Sequence, residues 1–339
     1  RMSAELLLDR YPQNLEVLKL CAETSFLQQD YTSCEEYVAR VLQQEPENMQ
    51  YILFRVKILL EKKEYIKAAS LLDVYSRTDS SSRDYLLLRA KLQHYWNRNN
   101  TASLATIEEA ISRYPDDGEI LSFASQIASI TGGKVAGKTA GELAAKIIEK
   151  DPENVSALQI NLNDLIKNGK WQEAYSAASH LLSLLPESED LQFSYINICL
   201  ALKKNDEAWN IAHNLYLRNS QSDTVVQQYI KVLIALGNTS EAKSLIDGLL
   251  PSANSKMRSF LYYETSFVVT SDDDILNALR SSLTSNPRNS DSLFRLYEFY
   301  YQKKEYRKAQ YYLKQVVALN PNNEIYLQLN SELENLIKR

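Results

Sequence analysis

The sequence predicts an all-α fold, a solenoid of stacked antiparallel helix hairpins. Three observations predict it. Proline recurs at a fixed interval: Pro12 and Pro46, Pro152 and Pro186, and Pro287 and Pro321 are each 34 residues apart. Such a period marks one supersecondary unit copied along the chain. Between the prolines, apolar residues recur at the spacing of one helix face. The 339 residues include only 8 Gly and 8 Pro, the two residue types that oppose helix interiors.

The copies follow in order. Ser3 to Asn14 reads as the second helix of a hairpin, with Ala4, Leu7, Leu8 and Pro12 in phase. A lone second helix cannot bury its apolar face, so residues 1–14 are expected to belong to a repeat that begins upstream. Leu15–Asn48 is the first full hairpin, with Leu18, Ala22, Tyr31, Cys34, Val38, Val41 and Leu42 inward. Met49–Ser82 repeats it through Tyr65, Ala68 and Leu72. Arg83–Asp117 carries one extra residue, and Gly118–Asn154 carries about three, all within Ile130–Gly141. Val155–Ser188 is regular: Leu158, Leu162 and Leu165, a turn at Gly169, then Trp171, Ala174, Ala178, Leu181 and Leu182. Glu189–Ser222 and Asp223–Ser255 follow through Ala208, Ala212 and Leu215, then Gly237, Ala242 and Ile246. Lys256–Asn289 has Ile275 where the other copies place Ala. Ser290–Asn323 is the clearest copy. Leu293, Leu296, Tyr297 and Tyr300 line its first helix, a break runs from Gln302 to Glu305, and Tyr306, Ala309, Leu313, Val316 and Val317 line its second. Residues 324–339 read as a capping helix, with Ile325, Leu329, Leu333 and Leu336 inward and Glu324, Glu332, Glu334, Lys338 and Arg339 outward.

The pattern resembles the tetratricopeptide repeat, and the resemblance spans residues 15–323 as about nine copies. That family places a bulky residue at repeat position 4, a small one at 8, Ala at 20 and Pro at 32. Cys34, Ala174 and Ala309 match position 20, where two closely crossing helices leave room only for a small side chain. Position 8 departs at Leu162 and Tyr297. The resemblance implies a right-handed superhelical solenoid, elongated and monomeric on its own, whose first helices line a concave groove. It implies a non-enzymatic scaffold or adaptor that binds a partner protein or peptide there. Two other readings stay open: a recruiting arm of a larger enzyme, and a lipid-anchored structural protein of the cell envelope. Cytoplasmic and periplasmic locations are both open.

The net charge of −5 and the scatter of Lys and Arg argue against a nucleic-acid surface. No apolar run reaches the 18 residues of a membrane span. Cys21, Cys34 and Cys199 are expected as small buried hydrophobes. Cys21 and Cys34 lie on facing helices of one hairpin, so a bridge between them is open, and with it the redox compartment. No cofactor or metal is expected. His94, His180 and His213 are too dispersed for metal-ligand spacing and are placed on helix surfaces. Asp272, Asp273 and Asp274 fit the positive end of a helix better than catalysis. Gly132–Thr139 matches G-x-x-x-x-G-K-[ST], the phosphate-cradling loop. That loop needs a buried strand before it, and Ile120 to Ile130 reads as a helix. A Gly-rich turn is therefore expected, with anion binding at its amides left open.

For the groove, the family uses repeat positions 2, 5, 9, 12 and 13. The fifth copy places Ser156, Gln159, Asn163, Ile166 and Lys167 there, a polar set. The last two copies place Met257, Phe260, Glu264, Phe267 and Val268, then Asp291, Phe294, Glu298, Tyr301 and Gln302. Some family members clamp a C-terminal carboxylate with Lys and Asn. Here Phe294 and Glu298 stand at those places, and the fifth copy has Gln159 for Lys, so that ligand is not expected. Partner contact is assigned to Phe260, Glu264, Phe267, Phe294, Glu298 and Tyr301, against the alternative that the rings pack on neighbouring helices. The carboxylates among them favour a basic or amide-rich ligand.

Overall fold

The structure, a computed structural model, describes residues 2–98 and 100–338. Those residues form twenty helices and, apart from one isolated bridge between Val135 and Lys138, no β-structure. The chain divides into two compact units, residues 1–184 and 185–339. The first holds α1 (Met2–Arg10), α2 (Leu15–Leu27), α3 (Tyr31–Gln44), α4 (Met49–Glu61), α5 (Tyr65–Ser76), α6 (Arg83–Tyr95), α7 (Asn100–Arg113), α8 (Gly118–Thr131), α9 (Ala140–Lys150), α10 (Val155–Lys167) and α11 (Trp171–Leu184). The second holds α12 (Glu189–Ala201), α13 (Asn205–Arg218), α14 (Asp223–Ala235), α15 (Thr239–Leu249), α16 (Ser255–Val268), α17 (Asp272–Ser285), α18 (Ser290–Gln302), α19 (Tyr306–Leu319) and α20 (Glu324–Lys338). Helix α16 begins at Ser255, one residue before the expected start at Lys256, because Asn254 caps it.

The proline loops explain the period. In YPQN, EPEN, YPDD, DPEN, NPRN and NPNN the fourth residue's N–H donates to the first residue's carbonyl at 3.0–3.2 Å. Proline therefore sits at the second position of a hydrogen-bonded turn, where its fixed φ fits. The Asn or Asp that closes the turn then caps the next helix. Asn14, Asn48, Asp117, Asn154, Asn289 and Asn323 accept the N–H of Val17, Tyr51, Ile120, Ala157, Ser292 and Tyr326 at 3.0–3.2 Å. One short segment thus ends one helix, turns the chain and starts the next.

Within a hairpin the turn is tighter. Gln29, Lys63, Gly169, Lys203, Gly237 and Lys304 all take φ between 57° and 79°, the left-handed stop that follows a helix. Close crossing then demands small residues. Cys34, Ala68, Ser103, Ala174, Ala208, Ala242 and Ala309 are all fully buried at equivalent places. The two polar ones are satisfied across the hairpin: Cys34 Sγ donates to Ala22 O at 3.1 Å and Ser103 Oγ to Ala90 O at 2.8 Å. Burial pushes the thiols of Cys34 and Cys199 up to about 12, which makes them poor nucleophiles. All three cysteines are buried thiols.

The chain ends differ from expectation in detail. In α1, Ala4 and Leu8 are buried but Leu7 is exposed, because only one stripe of a helix this short meets α2. In α20, Ile325 is 68% exposed and Leu336 is at the solvent edge. The face turned to the last hairpin is instead Tyr326, Leu329, Leu333 and Ile337. The helix is rotated so that the Tyr326 ring meets Phe294, with centroids 5.2 Å apart. The expected outward placement of Lys338 and Arg339 lies outside the described side chains. Ile275 is half-buried and packs into the last core cluster.

Candidate partner-binding face

In the second unit, α14, α16 and α18 are the first helices of successive hairpins. An open cavity of about 350 Å³ on these helices and the turn before α18 is lined by Lys231, Lys256, Phe260, Glu264, Arg288 and Asp291, with Tyr263 and Asn289 among others. Phe260 is half-buried, and the Lys231 ammonium lies 5.6 Å from its ring centroid. Glu264 is only 4% exposed. Burial pushes its carboxyl up to about 7; the Lys231 and Arg295 charges pull it back and Asp291 adds to the rise. Phe267 is 37% exposed, and the Arg295 guanidinium lies 3.6 Å from its centroid. Arg295 is fixed by Ser266, with Nε to Oγ at 2.7 Å and Nη2 to the carbonyl at 2.9 Å. Met257, a groove position in the family pattern, is buried in the core instead.

Further along α18, Phe294 is half-buried between Tyr297 at 5.3 Å and Tyr326 at 5.2 Å. Glu298 is exposed. Tyr301 is 41% exposed, its ring 5.7 Å from Tyr297 and 5.6 Å from Tyr306. It lines a second cavity of about 220 Å³ with Tyr297, Leu329, Glu332 and Leu333. Five of the six expected residues fall into three places, and Glu298 stands apart on the exposed side of α18. Phe260 and Glu264 share the first cavity, Phe267 sits under Arg295, and Phe294 and Tyr301 flank Tyr297.

Sequence reasoning missed a charged face in the first unit. Arg83, Lys57 and Glu119 form one cluster on α4, α6 and α8, with Lys57 Nζ 3.3 Å from Glu119 Oε1 and the Arg83 guanidinium on both Asp117 and Glu119. Lys91, half-buried beside them, has its ammonium 5.9 Å from the Phe123 centroid, and burial depresses its pKa. Two cavities of about 310 and 470 Å³ adjoin Lys91 and Glu119. The signal was available: Lys57, Lys91 and Glu119 occupy groove positions of the second to fourth copies.

The Gly132–Thr139 segment is a capped turn. Helix α8 precedes it, and Gly132 ends that helix at φ 68°. Val135 and Lys138 exchange backbone hydrogen bonds at 2.9 and 3.0 Å around Ala136 and Gly137, both at positive φ. The Ala136 N–H donates to Glu108 at 2.9 Å and the Thr139 N–H to Glu142 at 2.8 Å. Protein oxygens, two of them carboxylates, thus hold the Val135, Ala136, Lys138 and Thr139 amides. Glu142 also completes a capping box with Thr139 at the start of α9.

His213, expected on a surface, is half-buried: its ring stacks on Trp209 at 4.5 Å and Nδ1 lies 3.1 Å from the Tyr229 hydroxyl. The aspartate triplet opens α17, where Ser271 caps the Asp274 N–H at 3.1 Å. Among the described residues no His, Cys, Asp and Glu cluster has metal-binding geometry, and no helix is long and apolar enough to cross a membrane.

No family model matches the chain. A Dictyostelium discoideum protein described as "DnaJ homolog subfamily C member 7 homolog" is 24% identical over 166 residues, 49% of this chain. The match spans about a quarter, 26%, of that protein's length. Among solved structures, PilW, a type IV pilus biogenesis factor, is 16% identical with a TM-score of 0.50, covering 65% of this chain and 98% of its own. A tetratricopeptide repeat protein from Parabacteroides merdae is 13% identical with a TM-score of 0.36, covering 94% of this chain and 98% of its own. The likeness to PilW is one of fold. The 34-residue period, and the hairpins that the period builds, resemble the tetratricopeptide repeat.

Proposed function

We propose that the chain is a non-enzymatic scaffold that binds a segment of a partner protein or peptide along the first-helix face of its second unit. Phe260, Glu264, Phe267, Phe294, Glu298 and Tyr301 are the proposed contacts. The observation that carries the reading is Tyr301. A large ring left 41% exposed beside a cavity on this face is a ready anchor. Phe294 has a double role in this reading, since one edge packs on Tyr326 of α20.

The test is affinity capture with the wild-type chain and with Tyr301→Ala and Phe294→Ala, together with thermal midpoints. A partner retained by wild type and lost by Tyr301→Ala at an unchanged midpoint supports the reading. Truncating an interface anchor typically costs about 2 kcal/mol or more of binding. Phe294→Ala is expected to lower the midpoint as well, because a packed ring leaves a void. Capture unaffected by Tyr301→Ala overturns the assignment of this face.

A further inference from the structure

We propose that the cavity between α14, α16 and α18 receives a cationic side chain, lysine or arginine, from the partner segment, with Glu264 as its counter-ion. The proposal rests on the functional reading above and specifies the chemistry of its central pocket.

Glu264 is 4% exposed, and among the described residues no hydrogen bond or ion pair reaches its carboxylate. Buried carboxylates are ordinarily paired, because an unpaired one has lost its water without replacement. Its oxygens are not among the fully buried atoms that lack a partner, so they open onto the cavity, where a donor arriving from outside can reach them. The cavity of about 350 Å³ has room for a long side chain. Phe260 and Tyr263 offer apolar walls for an aliphatic stem.

The buried charge favours a cation. Asp291 also lines the cavity and Glu298 lies further along α18; neither carboxylate is in an ion pair among the described residues. Among the described residues neither of the two nearest cations pairs with Glu264, although Lys231 lines the same cavity. Lys231 lies over the Phe260 ring, and Arg295 is held on Ser266 and Phe267. Lys231, Lys256, Arg288 and Asp291 all line the cavity and all are exposed, where solvent and salt screen them alike, which leaves Glu264 as its one buried charge. An anion would meet Glu264 and Asp291. An amide would supply one hydrogen bond and leave the carboxylate charge uncompensated.

A random dodecapeptide library displayed on phage, panned against the full chain and against Glu264→Gln, tests this. Enrichment of Lys or Arg at one register position on wild type is expected. The selected peptide should bind Glu264→Gln about tenfold more weakly or worse, as loss of a desolvated charge pair does. Replacing that Lys or Arg by Gln in the peptide should lose the same factor on wild type and little more on the variant. The variant's thermal midpoint, expected at or above that of wild type, separates the loss from unfolding. Peptides that bind with sensitivity to Tyr301→Ala but carry no basic position, or bind Glu264→Gln equally well, overturn the pocket assignment and leave the binding face standing. Failure to enrich any peptide overturns both.

Discussion

Arg83 and Asp117 stand one repeat apart, and the guanidinium of the first forks onto the carboxylate of the second, Nε to Oδ2 and Nη2 to Oδ1 both at 2.9 Å. Arg83 is the first residue of α6, and Asp117 caps α8 through its bond from the Ile120 N–H at 3.0 Å. One carboxylate thus starts a helix and ties that helix to the one a repeat earlier. Burial works to raise the Asp117 pKa, and the hydrogen bonds from Arg83 and Ile120 overcome it, so the net shift is downward. Asp117→Ala is expected to destabilise the first unit by about 2–4 kcal/mol, about 1 from the cap and the rest from the charge-assisted fork. Arg83→Lys keeps the charge and loses the fork, at a cost of about 1 kcal/mol. A depressed carboxylate gives stability that is present above its ordinary pKa and lost as pH falls through its folded pKa. The deficit of Asp117→Ala in urea unfolding should therefore shrink below about pH 4.

Gly141 tests how closely α9 approaches α10. A Cβ there would lie 2.4 Å from Asp164 Oδ2 and 2.8 Å from Asp164 Cβ and Cγ. Asp164 also accepts the Thr139 hydroxyl at 3.1 Å, so moving it disturbs the capped turn. Overpacking typically costs about 1–3 kcal/mol, and the better helix propensity of Ala returns about 1. Gly141→Ala is expected to lower the thermal midpoint of the first unit. A raised midpoint would mean that Asp164 swings aside freely.

The hairpin period was legible because proline, small and apolar residues recur at fixed positions for backbone reasons. The Asn and Asp caps were equally visible in YPQN, DPEN and NPRN, yet a search for apolar faces passes over polar residues in loops. Burial within the proposed binding face was not legible. Met257, Phe260 and Glu264 occupy equivalent groove positions by spacing, but neighbouring helices bury Met257 and Glu264 and leave Phe260 half open. Ile325 failed for a related reason: a helix packed against one hairpin has a face set by one ring contact, Tyr326 on Phe294, and not by the average of its apolar residues.

Lys63 and Lys304 hold φ of 60° and 59° at turns where Gly169 and Gly237 take 67° and 79°. An L-residue in that region costs about 1–2 kcal/mol that glycine does not. The greater freedom of glycine in the unfolded chain takes back about half of this. Lys63→Gly and Lys304→Gly are each expected to stabilise their own unit by about 0.5–1 kcal/mol, and to add when combined, since no partner is shared. Calorimetry of the two single variants and the double variant checks both size and additivity.

Glu264 makes the stability of the second unit depend on pH in a direction opposite to Asp117. Its carboxyl stands at about 7 against an ordinary 4.5, because burial penalises the ionised form. The charged or titratable groups around it are Lys231 of α14, Tyr263 of α16, and Asp291 and Arg295 of α18. A raised carboxylate binds more protons folded than unfolded between these two values. Its contribution is therefore fully present below the ordinary pKa and is lost as pH rises through the folded one. Integrated over the window, the loss is at most about 3 kcal/mol. Glu264→Gln cannot ionise and should lack that slope. At pH 8 its α16 amides should exchange with solvent more slowly than those of wild type, and near pH 5 the two should converge. Parallel exchange profiles across the window would mean that Glu264 ionises as an exposed carboxylate does and that its cavity is wet.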